Sequence, residues 1–251
     1  MCSLRPLETP WLTMLLNIDL GELPSEDTAL YQAADLANIA CGGHTGDADS
    51  MRKAVSLCLQ CGTQIGAHPS FPDREGFGRR ALDMSMADLH AAICQQVGAL
   101  KAVCDDLGAK ITHIKPHGAL YHAADKQASI AEVLLAAARS TVQREVAVLG
   151  PLSGELQSQA EEQGWPFFVE GFADRGRRRN MDGRWELVPR GEPAALLTHV
   201  DAVLKMLEQH FEEAQIDTVC LHGDNPQASL LAPRIRSVLD QRRSLTEEAR
   251  K

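Results

Sequence analysis

Seven short, nearly continuous apolar runs punctuate this chain, at residues 14–18, 36–41, 64–67, 111–114, 146–150, 167–169 and 218–221. Unbroken runs of this length fit strands buried on both faces, as in a parallel sheet. Helical periodicity fills the gaps. Its clearest stretch spans 86–107, where Leu89, Ile93, Val97, Leu100, Cys104 and Leu107 recur every three or four residues and mark one buried face. Ser85 and Asp88 give this helix a capping-box start, and Gly108 supplies the left-handed position beyond its end. A second helix is expected over 48–60, with Met51, Ala54, Val55 and Cys58 inward and Gly62 closing it. Others are expected at 129–139, 154–163, 194–211 and 227–239. Asn225 and Pro226 open the last of these, and Pro233 is expected to kink or split it. About seven βα units in series predict a barrel or an open doubly wound sheet.

Length and composition narrow the function classes. The 251 residues suit a single domain over 1–251, with a short arm at 1–13 and a charged tail at 240–251 that reads as a frayed helix end. A net charge of −9 argues against nucleic acid and anionic membranes as partners, and leaves room for a small anion held by a few arginines. Seven scattered cysteines, an odd number, do not make a disulfide framework and place the chain in a reducing, cytoplasmic compartment. The first 12 residues form a poor signal peptide, and no apolar run approaches the length of a membrane span. Homo-oligomerisation stays open.

Polar and ionisable residues gather at the C-terminal end of nearly every expected strand. The first ends in Asn17, Asp19 and Glu22; the second leads into Asn38, Cys41, His44 and Asp47; the third ends in His68, and the fourth in Lys115 and His117. The sixth ends in Glu170, with Asp174 and Arg175 just beyond, and the seventh ends in His222, Asp224 and Asn225. In a parallel β/α barrel these ends meet at one face, where active sites are built. Buried charges cost free energy unless paired, so a purely structural protein has no reason to collect them there. The pattern points to an enzyme.

The segments Asn17-Ile-Asp-Leu-Gly-Glu22, Ala37-Asn-Ile-Ala-Cys-Gly-Gly-His44, Ile65-Gly-Ala-His-Pro69, Gly76-Phe-Gly-Arg79, Lys115-Pro-His-Gly-Ala-Leu-Tyr121, Glu170-Gly-Phe-Ala-Asp-Arg175 and Leu221-His-Gly-Asp-Asn-Pro226 resemble the LamB/YcsF family, the A-type component of 5-oxoprolinase. The likeness runs in order from about Asn17 to Leu239. It implies a distorted (β/α)7 TIM-like barrel similar to the glycoside hydrolase/deacetylase fold. It also implies ATP-dependent opening of the 5-oxoproline lactam to glutamate, with ATP and its Mg²⁺, alongside subunits B and C. Gly43 stands where the family has an aromatic residue, Gln95-Gln96 where it has a Tyr-Gln pair, and the stretch 176–188 is longer and richer in arginine.

Within that frame Asp19 and His68 are candidates for a general base and its partner. Lys115 is a candidate to hold developing charge or phosphate, and His117 and His222 are alternate proton donors. Asp174 and Arg175 could fix the amine side and carboxylate of the substrate; Asn17, Asn38 and Asn225 could supply amide contacts; His44, Glu170 and Asp224 complete the expected binding set. Asp19, His44 and His68 also resemble the Asp-His-His metal centre of deacetylases, and an equally open reading has them bond one another without metal. No Walker A loop is present, so a nucleotide on this chain would use glycine backbone, Lys115, Arg79 or Arg175, or else would sit partly on a partner. The cluster Arg177–Arg179, with Arg184 and Arg190, reads either as a phosphate-facing lid or as solvated charge. Cys58-Leu-Gln-Cys61 falls at a helix C-terminus, where the dipole opposes a thiolate, and reads as core. Cys41 reads as a nucleophile or a small buried filler. Two alternatives remain: a metal-dependent deacetylase or amidohydrolase acting on another small amide, and a non-catalytic component that binds a small acid.

Overall fold

The computed structural model describes residues 14–143, 146–181, 185–213 and 215–248; the expected arm at 1–13 lies outside them. In chain order the elements are β1 (Leu15–Leu20), α1 (Thr28–Ala33), β2 (Leu36–Ala40), α2 (Ala48–Cys61), β3 (Gln64–His68), α3 (Met86–Asp106), β4 (Ile111–Ile114), α4 (Gly118–Lys126), α5 (Ala128–Val142), β5 (Ala147–Gly150), α6 (Glu155–Glu162), β6 (Phe167–Phe172), β7 (Arg177–Arg179), β8 (Trp185–Leu187), α7 (Val200–Glu212), β9 (Thr218–His222) and α8 (Ala228–Glu248). Strands β1 to β6 and β9 close into a seven-stranded barrel in which every adjacent pair is parallel. This is the (β/α)7 TIM-like barrel expected from the sequence.

Successive side chains of a strand face opposite ways, and β1 uses both directions fully. Leu16, Ile18 and Leu20 are fully buried in the apolar layer beneath the helices. Asn17 and Asp19 instead face the barrel interior and bond across it to Thr218, Asn38 and Lys115. The polar residues expected at the C-terminal ends of the strands fall within those strands or just beyond them. Asn17, Asp19 and Asn38 lie within β1 and β2, and Glu170 lies mid-strand because β6 continues to Phe172.

Local signals set the helix ends. Asp47 and Ser50 form a reciprocal capping box at the start of α2, and Gly62 ends it in the left-handed conformation. Asp47 is thus a cap and not a site residue. Ser85 accepts from the Asp88 amide at the start of α3. The helix expected from 194 begins only at Val200. The backbone before it serves the loop after β6: the Ala195 carbonyl accepts from Arg175, and the Leu197 amide donates to the Asp174 carbonyl. Pro233 does not split α8, which runs unbroken to Glu248. The tail does not fray at 240 either, because Arg236 and Arg243 both pair with Asp35, at 2.7 and 3.0 Å. No helix among the described residues is long and apolar enough to cross a membrane.

Candidate active site at the barrel mouth

The floor of the site is a buried polar network inside the barrel. Lys115, just past β4, donates to Asp19 Oδ1 at 2.9 Å, Asn17 Oδ1 at 3.1 Å and Cys220 Sγ at 2.9 Å, and its Nζ lies 2.9 Å from Glu170 Oε1. Asn38 donates from Nδ2 to both Asn17 Oδ1 and Asp19 Oδ1 at 2.8 Å, and its Oδ1 lies 3.0 Å from His113 Nε2. Burial alone would raise the Asp19 carboxyl, yet Lys115 and His68 overcome it and hold it well below its ordinary range. Burial likewise opposes the Lys115 charge, and Asp19 outweighs it, so the ammonium persists well above its usual pKa. The floor is built on a buried ion pair, in which Asp19 is an anion that does not readily take a proton.

One wall rises from β1 to β4. Gly21 takes a left-handed turn after β1 and brings Glu22 back over the mouth, buried. Its Oε1 lies 3.0 Å from His44 Nε2, 3.5 Å from His117 Nδ1 and 3.8 Å from His68 Nε2. The rings of His44 and His117 stack with centroids 3.7 Å apart, and Phe77 meets both edge-on. Burial, then the neighbouring His68, push His44 and His117 well below the usual imidazole range. Burial and the Asp19 charge push the Glu22 carboxyl well above its usual range. The wall depends on Gly78, which sits at φ +64; a Cβ there would lie 2.8 Å from His44 Cβ and 3.0 Å from His117 Cδ2. Gly43, where the family has an aromatic residue, faces space that Gln96 fills; Gln96 bonds both the amide and the carbonyl of Ser70 at 2.9 Å.

The opposite wall comes from β6 and β9. His222 Nδ1 lies 2.8 Å from Asp174 Oδ1, and the His222 amide donates to Asp174 Oδ2 at 3.3 Å. Asn225 Nδ2 donates to the same oxygen at 2.9 Å and to the Leu197 carbonyl at 3.1 Å. Asp174 can only accept, so His222 carries its proton on Nδ1 and turns Nε2 to the pocket. Phe172 stacks beneath the ring at 5.6 Å.

The cleft between the walls is lined by Asp19, His68, Lys115, His117 and His222, together with Arg79, Arg175, Arg190, Tyr121, His122 and Phe172. Of the expected binding residues, Arg175 lines the cleft while its guanidinium bonds the Ala195 and Val188 carbonyls at 2.8 and 2.9 Å. Asn17, Asn38, Asp174 and Asn225 stand behind the lining as its support, and Asp224 pairs with Arg79 at the rim. His44 backs the first wall, and Glu170 opens onto a neighbouring cavity beside Trp185. The expected metal trio is redistributed: Glu22, His44, His68 and His117 form one buried group with metal-ligand spacing, while Asp19 falls with Cys220 and His222. Sequence reasoning placed Glu22 at a strand end without assigning it to the site, and passed over Tyr121, His122, Phe172 and Cys220. The motif segments ending at Glu22 and Tyr121 were the available signal.

Three other expectations resolve here. Cys41 is fully buried and its thiol is pushed up to about 12 by burial, which suits a filler and not a nucleophile. Cys58 is pushed to about 12 in the same way. Arg177 pairs with Glu213 at 2.5 Å, and Arg178 pairs with Glu186 and Glu192 at 3.0 and 2.7 Å, so these two side chains are spent on the protein itself. Arg184 lies outside the described residues, and Arg190 reaches the cleft.

Among solved structures, the chain is similar to the lactam utilization protein from Thermus thermophilus, with 29% identity over 91% of this chain and 96% of that one and a TM-score of 0.81. A chitinase from Ipomoea carnea and a dihydropteroate synthase from Anaplasma phagocytophilum, each 12% identical, align over 88% and 90% of this chain and 99% of theirs, at TM-scores of only 0.42 and 0.37, and carry no argument. Residues 14–251 match the LamB/YcsF family throughout, so this chain belongs to the LamB/YcsF family.

Proposed function

We propose that this chain is the lactam-opening component of an ATP-dependent 5-oxoprolinase, acting with subunits B and C to convert 5-oxo-L-proline to L-glutamate in the cytoplasm. The observation that carries the reading is the family match over residues 14–251, supported by the likeness to a lactam utilization protein. The cleft suits a small anion: Arg79, Arg175 and Arg190 crowd its rim, and burial followed by mutual repulsion depresses Arg175 and Arg190, a cost that a bound carboxylate relieves. The described cysteines are free, which agrees with a reducing compartment.

In this reading ATP, with Mg²⁺, phosphorylates the lactam oxygen. ADP would leave, one water would add to the activated carbon, the ring C–N bond would break as its nitrogen takes a proton, and a second water would release phosphate from the resulting acyl phosphate to give glutamate. His222, oriented by Asp174, moves that proton through Nε2. Asp19 stays ionised beside Lys115 and supplies a fixed field across the floor. Its role thus shifts from base to electrostatic anchor. The decisive experiment reconstitutes the chain with B and C and measures glutamate release from 5-oxoproline with and without ATP. His222→Asn is expected to lower turnover by about 10²–10⁴-fold. Turnover without ATP consumption would sink the coupling, and unchanged turnover in the variant would leave only small-acid binding.

The buried histidine group supports one other reading, a metal-dependent amidohydrolase. Amide hydrolysis by the chain alone, metal-dependent and without ATP, would favour it.

A further inference from the structure

Two histidines of the first wall face each other in a way that fixes their protons. His68 Nδ1 lies 2.7 Å from the Lys115 carbonyl, and His117 Nε2 lies 2.9 Å from the Phe77 carbonyl. A carbonyl oxygen only accepts, so each of these nitrogens carries the ring proton. The remaining nitrogens, His68 Nε2 and His117 Nδ1, then present bare lone pairs to one another at 3.0 Å. Glu22 Oε1, a third electron-pair donor, stands 3.8 and 3.5 Å from the same two atoms. The Nε2 of His44 comes within 3.0 Å of that oxygen. Lone pairs gathered this closely repel unless a proton or a metal cation sits among them.

We propose that Glu22, His44, His68 and His117 together hold one divalent transition-metal ion of the zinc–cobalt class at the barrel mouth. The proposal concerns binding and does not rest on the lactam reading. Its first support is spacing. Bonds of about 2.0–2.1 Å in a tetrahedron set donor atoms about 3.3–3.4 Å apart. The four separations, 3.0, 3.0, 3.5 and 3.8 Å, bracket that value, and all four donor atoms lie within 4.8 Å of one another. Its second support is donor type: three imidazoles and one carboxylate suit zinc, cobalt or nickel, and not the all-oxygen shells of calcium or magnesium.

The third support is the surrounding shell. Metal-bound histidines characteristically donate their other N–H to a backbone carbonyl, as His68 and His117 do. Phe77 holds its carbonyl toward His117 from a left-handed conformation, φ 54, that an aromatic residue adopts only under constraint. Asp19 Oδ2 stands 3.5 Å from His68 Nε2, but Asp19 groups with Cys220 and His222 and so flanks the cluster.

The test uses the full chain, free of any polyhistidine tag and stripped with a chelator. It is titrated with Zn²⁺ against a chromophoric competitor and separately loaded with Co²⁺. The expected result is stoichiometric uptake, with a strong visible cobalt spectrum typical of a four-coordinate site. His117→Gln and Glu22→Gln are expected to weaken binding by at least about 100-fold, beyond the loss seen when an outer-shell partner is removed. Circular dichroism establishes that each variant is folded. His90→Gln, at the separate His90–Cys94 contact on α3, is expected to bind as the parent does. Failure of the folded parent chain to take up metal overturns the proposal. So does uptake that survives both cluster variants or is lost in His90→Gln.

Discussion

The two walls of the cleft are built from similar residues and reach opposite ends. On the β6–β9 side, Asp174 accepts from His222 and Asn225, which leaves the His222 Nε2 facing the pocket. On the β1–β4 side, Glu22 and three histidines bring one possible ligand atom each to within 4.8 Å of one another. The first arrangement is complete and suited to moving a proton; the second is completed by a cation. Between them the floor holds both in place, since Asp19 lies beside His68 on one side and bonds Lys115 on the other. The difference teaches that the partner of a histidine's far nitrogen decides which nitrogen it presents: Asp174 turns His222 Nε2 to the pocket, and the Lys115 and Phe77 carbonyls turn His68 Nε2 and His117 Nδ1 toward each other.

The floor offers the largest way to break the comparison. Lys115→Met leaves Asp19 and Glu170 as uncompensated buried carboxylates, and a loss of about 3–5 kcal/mol in unfolding free energy is expected from urea titration. Both walls should fail together, in turnover and in metal uptake. A loss under about 1 kcal/mol, the range of an exposed ion pair, would show that the floor does not support them. Next in size is Asp174→Asn, which removes the orienting acceptor from one wall only. Turnover in the reconstituted complex should fall about 10²–10³-fold, near 3–4 kcal/mol of barrier, with metal uptake intact. Equal damage to both readouts would mean that the walls are not separate devices.

How far the sequence revealed this arrangement depends on which force shaped each segment. All barrel strands were legible to within a few residues, because burial on both faces leaves an apolar run that polar loops cannot imitate. The short α1 and α4 were missed. The second opens with Pro116, His117 and Gly118, which read as loop; its helical start becomes evident only where the Ala119 amide donates to the Gly78 carbonyl from a distant loop. The β7–β8 hairpin was hidden by charge, since Arg177 and Arg179 are held over Trp185 by ring contacts that no hydropathy pattern registers. Within the site, residue types were legible and partnerships were not. Nothing along the chain says that Asp174 belongs to His222, 48 positions away, or that Glu22 and not Asp19 completes the histidine group.

Gly78→Ala probes the histidine wall at a smaller scale. The substitution sets an L-residue at φ +64 and drives its Cβ to 2.8 Å from His44 Cβ, a distance at which something must shift. Strained backbone and overpacking together should cost about 2–3 kcal/mol in stability. The displaced imidazoles should also lose metal affinity, while the Asp174–His222 contact, on the far side, keeps its geometry. Unchanged affinity in a folded variant would mean that the stacking of His44 on His117 is not what aligns the ligands.

The smallest effect comes from beneath both walls, where His113 bonds Asn38 inside the barrel. Burial, then the Lys115 charge, depress this imidazole to about 3. An unfolded histidine titrates near 6.5, so above that pH neither state carries the proton and the group adds no pH dependence. Below it the unfolded chain gains a proton that the folded chain refuses until about pH 3, and stability must fall across that window. Between pH 7 and pH 5 the loss from this one group should be about 2 kcal/mol. Urea titrations at the two pH values should show His113→Gln with a shallower decline than the parent by about that amount, whatever its stability at pH 7. His113 bonds Asn38, and Asn38 bonds Asp19, so this titration loosens the one element the walls share; an identical decline in the variant would mean that the floor stays fixed and that acid acts on the walls directly.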